Sequence, residues 1–101
     1  MPGYQRPYEN TSNATYNASV ERLKGLFEKW RVPFEDWQLD TQVEGAVRNT
    51  GAWPKSKNAV RLRYRHPKSK NPVEMLLDSQ ATAAKNLSSI VITLEDIYMQ
   101  E

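Results

Sequence analysis

Two stretches of alternating apolar and polar residues, 59–65 and 72–78, constrain the fold of this chain more than any other feature. Successive side chains of a β-strand point to opposite faces, so each stretch predicts a strand with one apolar face. The segment between them, 66–71, contains Pro, Ser and Asn, which are typical of turns. Together the two stretches predict an antiparallel β-hairpin.

The register of this hairpin follows from requiring the two apolar sets to share one face. Pairing positions whose numbers sum to 137 meets this requirement. The resulting apolar pairs are Val60 with Leu77, Leu62 with Met75, and Tyr64 with Val73. A shift by one residue would place Glu74 and Pro72 opposite apolar side chains, so the pattern excludes it.

On its other face, the predicted hairpin carries arginines at every second position. The register places Arg63 opposite Glu74, a pair worth at most ~1 kcal/mol. It leaves Arg61 and Arg65 without a directly opposite acid. We therefore expect the arginine face to be open to solvent.

Two amphipathic helices are predicted, at about 18–31 and about 82–100, because apolar residues recur there at helical spacing. Val32-Pro33 should end the first helix, since a residue before proline is disfavoured in the helical conformation. The N-cap candidates are Asn17 or Ser19 for the first helix and Ser79 or Thr82 for the second.

The remaining segments complete an α+β fold in which both helices pack on a small antiparallel sheet. A short strand is predicted near 36–41, and residues 42–58 are interpreted as a loop. Residues 1–16 are polar and lack periodicity, which predicts a flexible N-terminal arm. Residues 17–101 then form one domain. Its last helix reaches the final residue without a glycine cap, which favours continuation into a longer chain.

Charge is strongly segregated along the sequence. The stretch from Lys55 to Lys70 contains seven basic residues and no acid, whereas the rest of the chain contains seven basic residues and all twelve acids. The seven are Lys55, Lys57, Arg61, Arg63, Arg65, Lys68 and Lys70. A concentrated positive region attracts anions although the net charge of the whole chain is only +2.

Motifs that carry catalysis are absent from the sequence. There is no cysteine, no phosphate-binding glycine loop and only one histidine, His66, which lies in the predicted turn. The sequence therefore predicts a protein without enzymatic activity, without a metal site and without a cofactor. The absence of cysteine and of long apolar segments favours a cytoplasmic protein that does not enter membranes.

The basic segment supports two functional hypotheses. Arginines on alternate strand positions are roughly 6.5–7 Å apart, close to the spacing of successive phosphates, and Trp53 lies near enough in sequence to stack on a base. This favours binding of a nucleic-acid phosphate backbone without sequence specificity. The alternative is a protein-interaction or adaptor domain whose basic face contacts an acidic partner, or is simply solvated.

The C-terminal half also resembles a family. After the hairpin the chain reads Asp78-x-x-x-Thr82-x-x-x-Asn86-Leu87-x-x-Ile90-x-x-x-Leu94-Glu95-x-Ile97. This is similar to small uncharacterised domains of phage and bacterial proteins that often accompany a J-domain, mainly over residues 59–98. The resemblance supports the fold more than a function, because no established activity accompanies these domains. A non-enzymatic accessory module is the preferred interpretation. It implies no chaperone-stimulating activity, because Lys68 follows His66-Pro67 where the J-domain signature has aspartate.

Overall fold

The computed structural model of the protein describes residues 15–43, 48, 57–69 and 71–100. The elements occur in the order α1 (Tyr16–Trp30), a short 3-10 helix (Phe34–Asp36), β1 (Trp37–Thr41), β2 (Val60–Tyr64), β3 (Val73–Leu77) and α2 (Ala83–Met99). The described strands form one antiparallel sheet with β2 between β1 and β3. The predicted α+β class is therefore confirmed.

The register of the β2–β3 hairpin is the predicted one, with Val60 opposite Leu77, Leu62 opposite Met75 and Tyr64 opposite Val73. All of these side chains except that of Val73 are buried. The alternation of apolar residues determined this register, because any odd-numbered shift would have turned one strand's apolar set away from the core.

Strand β1 pairs with the opposite edge of β2 and extends the apolar face. Leu39 lies opposite Leu62, which lies opposite Met75, and this row across the sheet is fully buried. The helices cover the same face. The ring of Phe27 in α1 lies 5.3 Å from that of Trp37 and 5.2 Å from that of Tyr64, measured between centroids.

Helix α1 begins before the residue that the sequence predicted. Thr15 is the N-cap, with its hydroxyl accepting a hydrogen bond from the N–H of Ala18 at 3.1 Å, so neither Asn17 nor Ser19 caps the helix. This earlier start places Tyr16 in the core, and the predicted arm of residues 1–16 therefore extends too far. Residues 1–14 lie outside the described part of the chain.

The end of α1 is closed by a residue in the left-handed conformation. Arg31 has a φ of 61°, its N–H donates to the carbonyl of Glu28 at 3.1 Å, and the N–H of Val32 donates to the carbonyl of Phe27 at 2.8 Å. Glycine usually occupies such a position because a Cβ is disfavoured there. The chain leaves the helix at Val32, before Pro33, as predicted.

Helix α2 is capped by Thr82, whose hydroxyl accepts from the N–H of Lys85 at 3.2 Å, in agreement with one of the two predicted caps. Its buried face is wider than the apolar stripe, because Ser88, Ser89 and Thr93 are also buried. Ser89 donates to the carbonyl of Lys85 and Thr93 to that of Ser89, at 3.1 and 2.9 Å. These bonds satisfy hydroxyl groups that would otherwise be unpaired in the core.

Replacing Leu87 or Leu94 by Ala should destabilise the domain by about 2–5 kcal/mol, because both side chains are fully buried and each deletion leaves a cavity. Urea unfolding followed by circular dichroism measures the change in unfolding free energy. Ile92→Ala is the matched control, since Ile92 lies on the same helix but is partly exposed. Losses below about 1 kcal/mol for both leucines would show that α2 is peripheral.

Tyr16 should make the domain sensitive to alkali. Its hydroxyl is buried without a hydrogen-bond partner in the described residues, and burial raises the pKa of Tyr16 above its usual range. As pH rises above about 10, the unfolded chain loses this proton while the folded one retains it, so stability falls by up to about 1.4 kcal/mol per pH unit.

The variant Tyr16→Phe removes this ionisation. Its unfolding free energy relative to the wild type should therefore increase steadily as the pH of the urea titration is raised above 10. A difference that stays constant from pH 8 to alkaline pH would contradict the burial of the hydroxyl.

Candidate nucleic-acid interface

Five of the eight residues that the sequence proposed as a nucleic-acid site are described by the structure: Lys57, Arg61, Arg63, Arg65 and Lys68. Trp53, Lys55 and Lys70 lie outside the described residues. The five have different surroundings: Arg61 is paired with an acid of the sheet, Arg63 and Arg65 border one depression, and Lys68 borders another.

Arg61 is engaged with a buried acid. Asp40 of β1 lies directly opposite Arg61 and is fully buried, although it is on the sheet face away from the helices. The Nε and Nη2 atoms of Arg61 donate to one carboxylate oxygen of Asp40 at 3.1 and 2.7 Å. The side-chain amide of Gln38 donates to the other oxygen at 2.9 Å. The carboxylate is thus held by a charged and a neutral donor.

Arg63 and Glu74 extend this network. The Nη2 of Arg63 donates to the side-chain oxygen of Gln38 at 3.2 Å and lies 3.8 Å from the carboxylate of Asp40. Glu74 lies opposite Arg63 in the register, yet its carboxylate is 3.7 Å from the Nη1 of Arg61. Two arginines and two carboxylates therefore balance each other on the outer face of the sheet.

The expectation of an open arginine face is wrong for Arg61. The side chain of Arg61 is only 19% exposed, and the missing opposite acid is supplied by β1, whose pairing partner the hairpin pattern does not reveal. Arg63 is 42% exposed and keeps more access to solvent. The main role of Arg61 and Arg63 is therefore to hold the strands of the sheet together through their ion pairs.

A further cation, Arg48, is also occupied within the fold. Its guanidinium lies 3.9 Å from the centroid of the Phe34 ring and 4.6 Å from that of Trp37. It donates to the carbonyls of both residues. Burial lowers the pKa of Arg48, and the charge of Asp40 opposes that shift. Such cation–π contacts are worth about 0.5–2 kcal/mol, which is a structural role.

The other described cations of the basic segment lie at the two ends of β2. Lys57, Arg65 and Lys68 form no ion pair with a described acid. Lys57 precedes the strand, whereas Arg65 and Lys68 follow it. Arg65 borders a depression that is also lined by Glu35 and Asp36, so acids offset part of its field. Lys68 borders a different depression, whose described lining contains no acid.

Lys68 borders a cleft where the end of α1, the hairpin turn and the end of α2 meet. This helix–turn cleft has a volume of about 510 Å³ and is lined by Lys29, Trp30, Arg31, His66, Pro67, Lys68, Tyr98 and Met99. Its described lining contains three cationic side chains and no acidic one. Lys29 and Arg31 come from the last turn and the cap of α1, about forty residues from Lys68 in sequence.

Local hydrogen bonds fix the turn side of the cleft. The Nδ1 atom of His66 accepts a hydrogen bond from the N–H of Lys68 at 3.0 Å, and the carbonyl of His66 accepts from the N–H of Ser69 at 2.9 Å. Because Nδ1 is an acceptor, a neutral His66 carries its proton on Nε2. The left-handed cap places Arg31 at the helix side of the same cleft.

Aromatic rings form the floor of the helix–turn cleft. Trp30 is buried, and its ring stacks on Tyr64 with centroids 5.8 Å apart. His66 and Tyr98 meet Trp30 edge to face, at 5.4 and 5.7 Å and interplanar angles of 84° and 80°. Both are only partly buried, so each ring retains surface toward the cleft.

Sequence reasoning missed Lys29 and Arg31 because they lie outside the acid-free stretch from Lys55 to Lys70, in a segment where acids and cations alternate. The only signal was the unusual end of α1, where an arginine stands at the position that favours glycine. Tyr98 packs against the core as part of the apolar face of α2, but an apolar stripe in the sequence does not show that a residue also borders a cleft.

Comparison with protein-family models, curated proteins and solved structures finds no match for the chain. The resemblance to domains that accompany a J-domain therefore stays a prediction. Within the described residues, no group of three or more His, Asp or Glu is placed to hold a metal ion. A search of the same residues finds no helix with the length and apolar character needed to span a membrane.

Arg61→Ser should destabilise the domain by about 3 kcal/mol, because it leaves the buried carboxylate of Asp40 without its closest cation. Arg65→Ser removes the same charge from an exposed position and should change stability by less than about 0.5 kcal/mol. Chemical denaturation of both variants measures the difference. In an Asp40→Asn background the effect of Arg61→Ser should shrink, whereas an unchanged effect would show that Arg61 acts independently of Asp40.

Proposed function

We propose that this domain is a binding module without catalytic activity that contacts the phosphate backbone of nucleic acids without reading sequence. The observation that supports it is the helix–turn cleft, where Lys29, Arg31 and Lys68 converge and no described acid lies in the lining. Lysine and arginine side chains bind phosphate oxygens through charge-assisted hydrogen bonds, and release of counterions adds to the affinity.

The electrostatic balance of the helix–turn cleft favours an anion. The C-terminal ends of α1 and α2 both approach it, and each helix end contributes a partial charge of about −0.5. Lys29, Arg31 and Lys68 together carry three positive charges, so they outweigh the two helix ends. Glu95, which lines the neighbouring depression with Lys29, is paired with Arg22. A ligand phosphate would find a net positive field that the outer face of the sheet, with its balanced arginines, does not provide.

The proposed site lies at the turn end of the hairpin, whereas the site predicted from the sequence extends from Trp53 to Lys70. Lys68 keeps its role, and Lys29 and Arg31 join it, whereas Arg61 is held by Asp40. Arg63, Arg65 and Lys57 are exposed enough to add to the long-range field. That field steers a charged partner and raises its rate of association.

The alternative partner is an acidic protein surface, which would use the same cations. Met99 is 83% exposed beside the cleft, and an exposed apolar side chain of this kind is common at protein interfaces. Phosphate binding is distinguished from this alternative by salt, because binding to unrelated oligonucleotides should depend steeply on salt concentration.

The double variant Lys29→Gln/Lys68→Gln should weaken binding to two unrelated oligonucleotides equally. It should also lower the magnitude of the slope of log K against log salt concentration by about 0.7–0.9 for each lost phosphate contact. Fluorescence polarisation across a salt series measures both quantities. Folding should be nearly unaffected, because Lys29 and Lys68 are exposed.

The matched control is Lys57→Gln/Arg65→Gln, which removes the same charge from exposed positions outside the helix–turn cleft. It should reduce the salt slope less than the cleft variant. Equal losses would show that total charge, and not the cleft, governs binding. If the wild-type domain binds neither oligonucleotide at low salt, the nucleic-acid proposal is wrong and the acidic-protein alternative becomes the stronger one.

A further inference from the structure

The helix–turn cleft combines cations with aromatic rings that are held in place from behind. Trp30 is stacked on Phe27 and on Tyr64, with interplanar angles of 22° and 19°, so its position is fixed by the core. His66 and Tyr98 lean against Trp30 with their rings nearly perpendicular to it. Two partly exposed rings are thereby oriented within one cleft that three cations border.

We infer that the helix–turn cleft takes an unpaired base together with its phosphate, and that the domain therefore binds single-stranded nucleic acid in preference to duplex. This inference rests on the proposed function and specifies its ligand. Surfaces that bind single strands combine a cationic path for the backbone with aromatic rings on which bases stack, and every base offers a suitable π-face.

The dimensions of the helix–turn cleft agree with such a ligand. Its volume of about 510 Å³ lies within the range of roughly 300–1,000 Å³ that small-molecule sites occupy. Duplex bases are already paired and stacked, so they reach a recessed ring only after they are flipped out of the helix. A duplex can therefore use only the cations at the border.

The chemistry of the turn supports the same ligand. His66 is oriented both by the Lys68 N–H that donates to its Nδ1 and by its contact with Trp30. The turn therefore holds an aromatic ring in a fixed orientation in the lining of the cleft. Lys68, which fixes the ring through its backbone, also brings its own charge to the cleft.

The test compares three fluorescein-labelled ligands of equal length at low salt: a mixed-sequence single strand, the duplex with its complement, and an abasic strand that keeps the phosphates and lacks the bases. The intact domain should bind the single strand about 5- to 150-fold more tightly than the abasic strand, which corresponds to the stacking of one base. It should also bind the single strand more tightly than the duplex.

Variants assign the preference to the helix–turn cleft. Tyr98→Leu keeps an apolar side chain against Trp30 but removes the aromatic face, so it should lower affinity for the single strand and leave affinity for the abasic strand unchanged. Lys29→Gln/Lys68→Gln should weaken both. Phe34→Ala is the control, because Phe34 is an aromatic residue that is 54% exposed and lies outside the cleft. It should alter neither affinity, and circular dichroism confirms that each variant is folded.

The outcomes separate this inference from the proposed function. Equal binding of the intact and abasic strands, or preference for the duplex, overturns the inference and leaves backbone binding standing. Loss of the single-strand preference in Phe34→Ala but not in Tyr98→Leu also overturns it, since the base would then lie elsewhere. Absence of binding to all three ligands overturns both.

Discussion

A buried carboxylate needs a cation beside it, and the pair formed by Asp40 and Arg61 meets this requirement on the outer face of the sheet. Because Asp40 is completely inaccessible, an uncompensated charge there would cost several kcal/mol. The pair joins β1 to the hairpin on that face, while the row of Leu39, Leu62 and Met75 joins them on the other. Strand β2 therefore has packing or ion-pair partners on both faces and hydrogen-bonded strands on both edges. These contacts fix the positions of its two ends.

The contacts made by β2 determine which cations of the hairpin are available to bind a ligand. Asp40 and Glu74 balance the arginines of the strand, so the exposed cations of the hairpin that form no ion pair with a described acid are those beyond the strand ends. At the turn end, Lys68 meets Lys29 and Arg31 because Trp30, next to both of them, packs on Tyr64 at the end of β2. The same aromatic packing that closes the core therefore assembles the helix–turn cleft.

Much of the fold followed from patterns within the chain. The hairpin register, two amphipathic helices and a short strand near 36–41 were predicted, since each depends on the period of its own apolar residues. The pairing of β1 with β2 was not predicted. Apolar faces match equally well when β1 is shifted by two residues, and Asp40 would then lie opposite a different residue of β2. Only the packing of the whole sheet selects the observed register.

The sequence by itself determined the elements, the hairpin register and the segregation of charge, because these depend on side chains close together along the chain. The tertiary structure decided which cations are available. It placed Asp40 against Arg61, Arg48 against two aromatic rings, and Lys29 and Arg31 beside Lys68. A charge acts through the distance and the dielectric that separate it from other charges, and folding sets both of these.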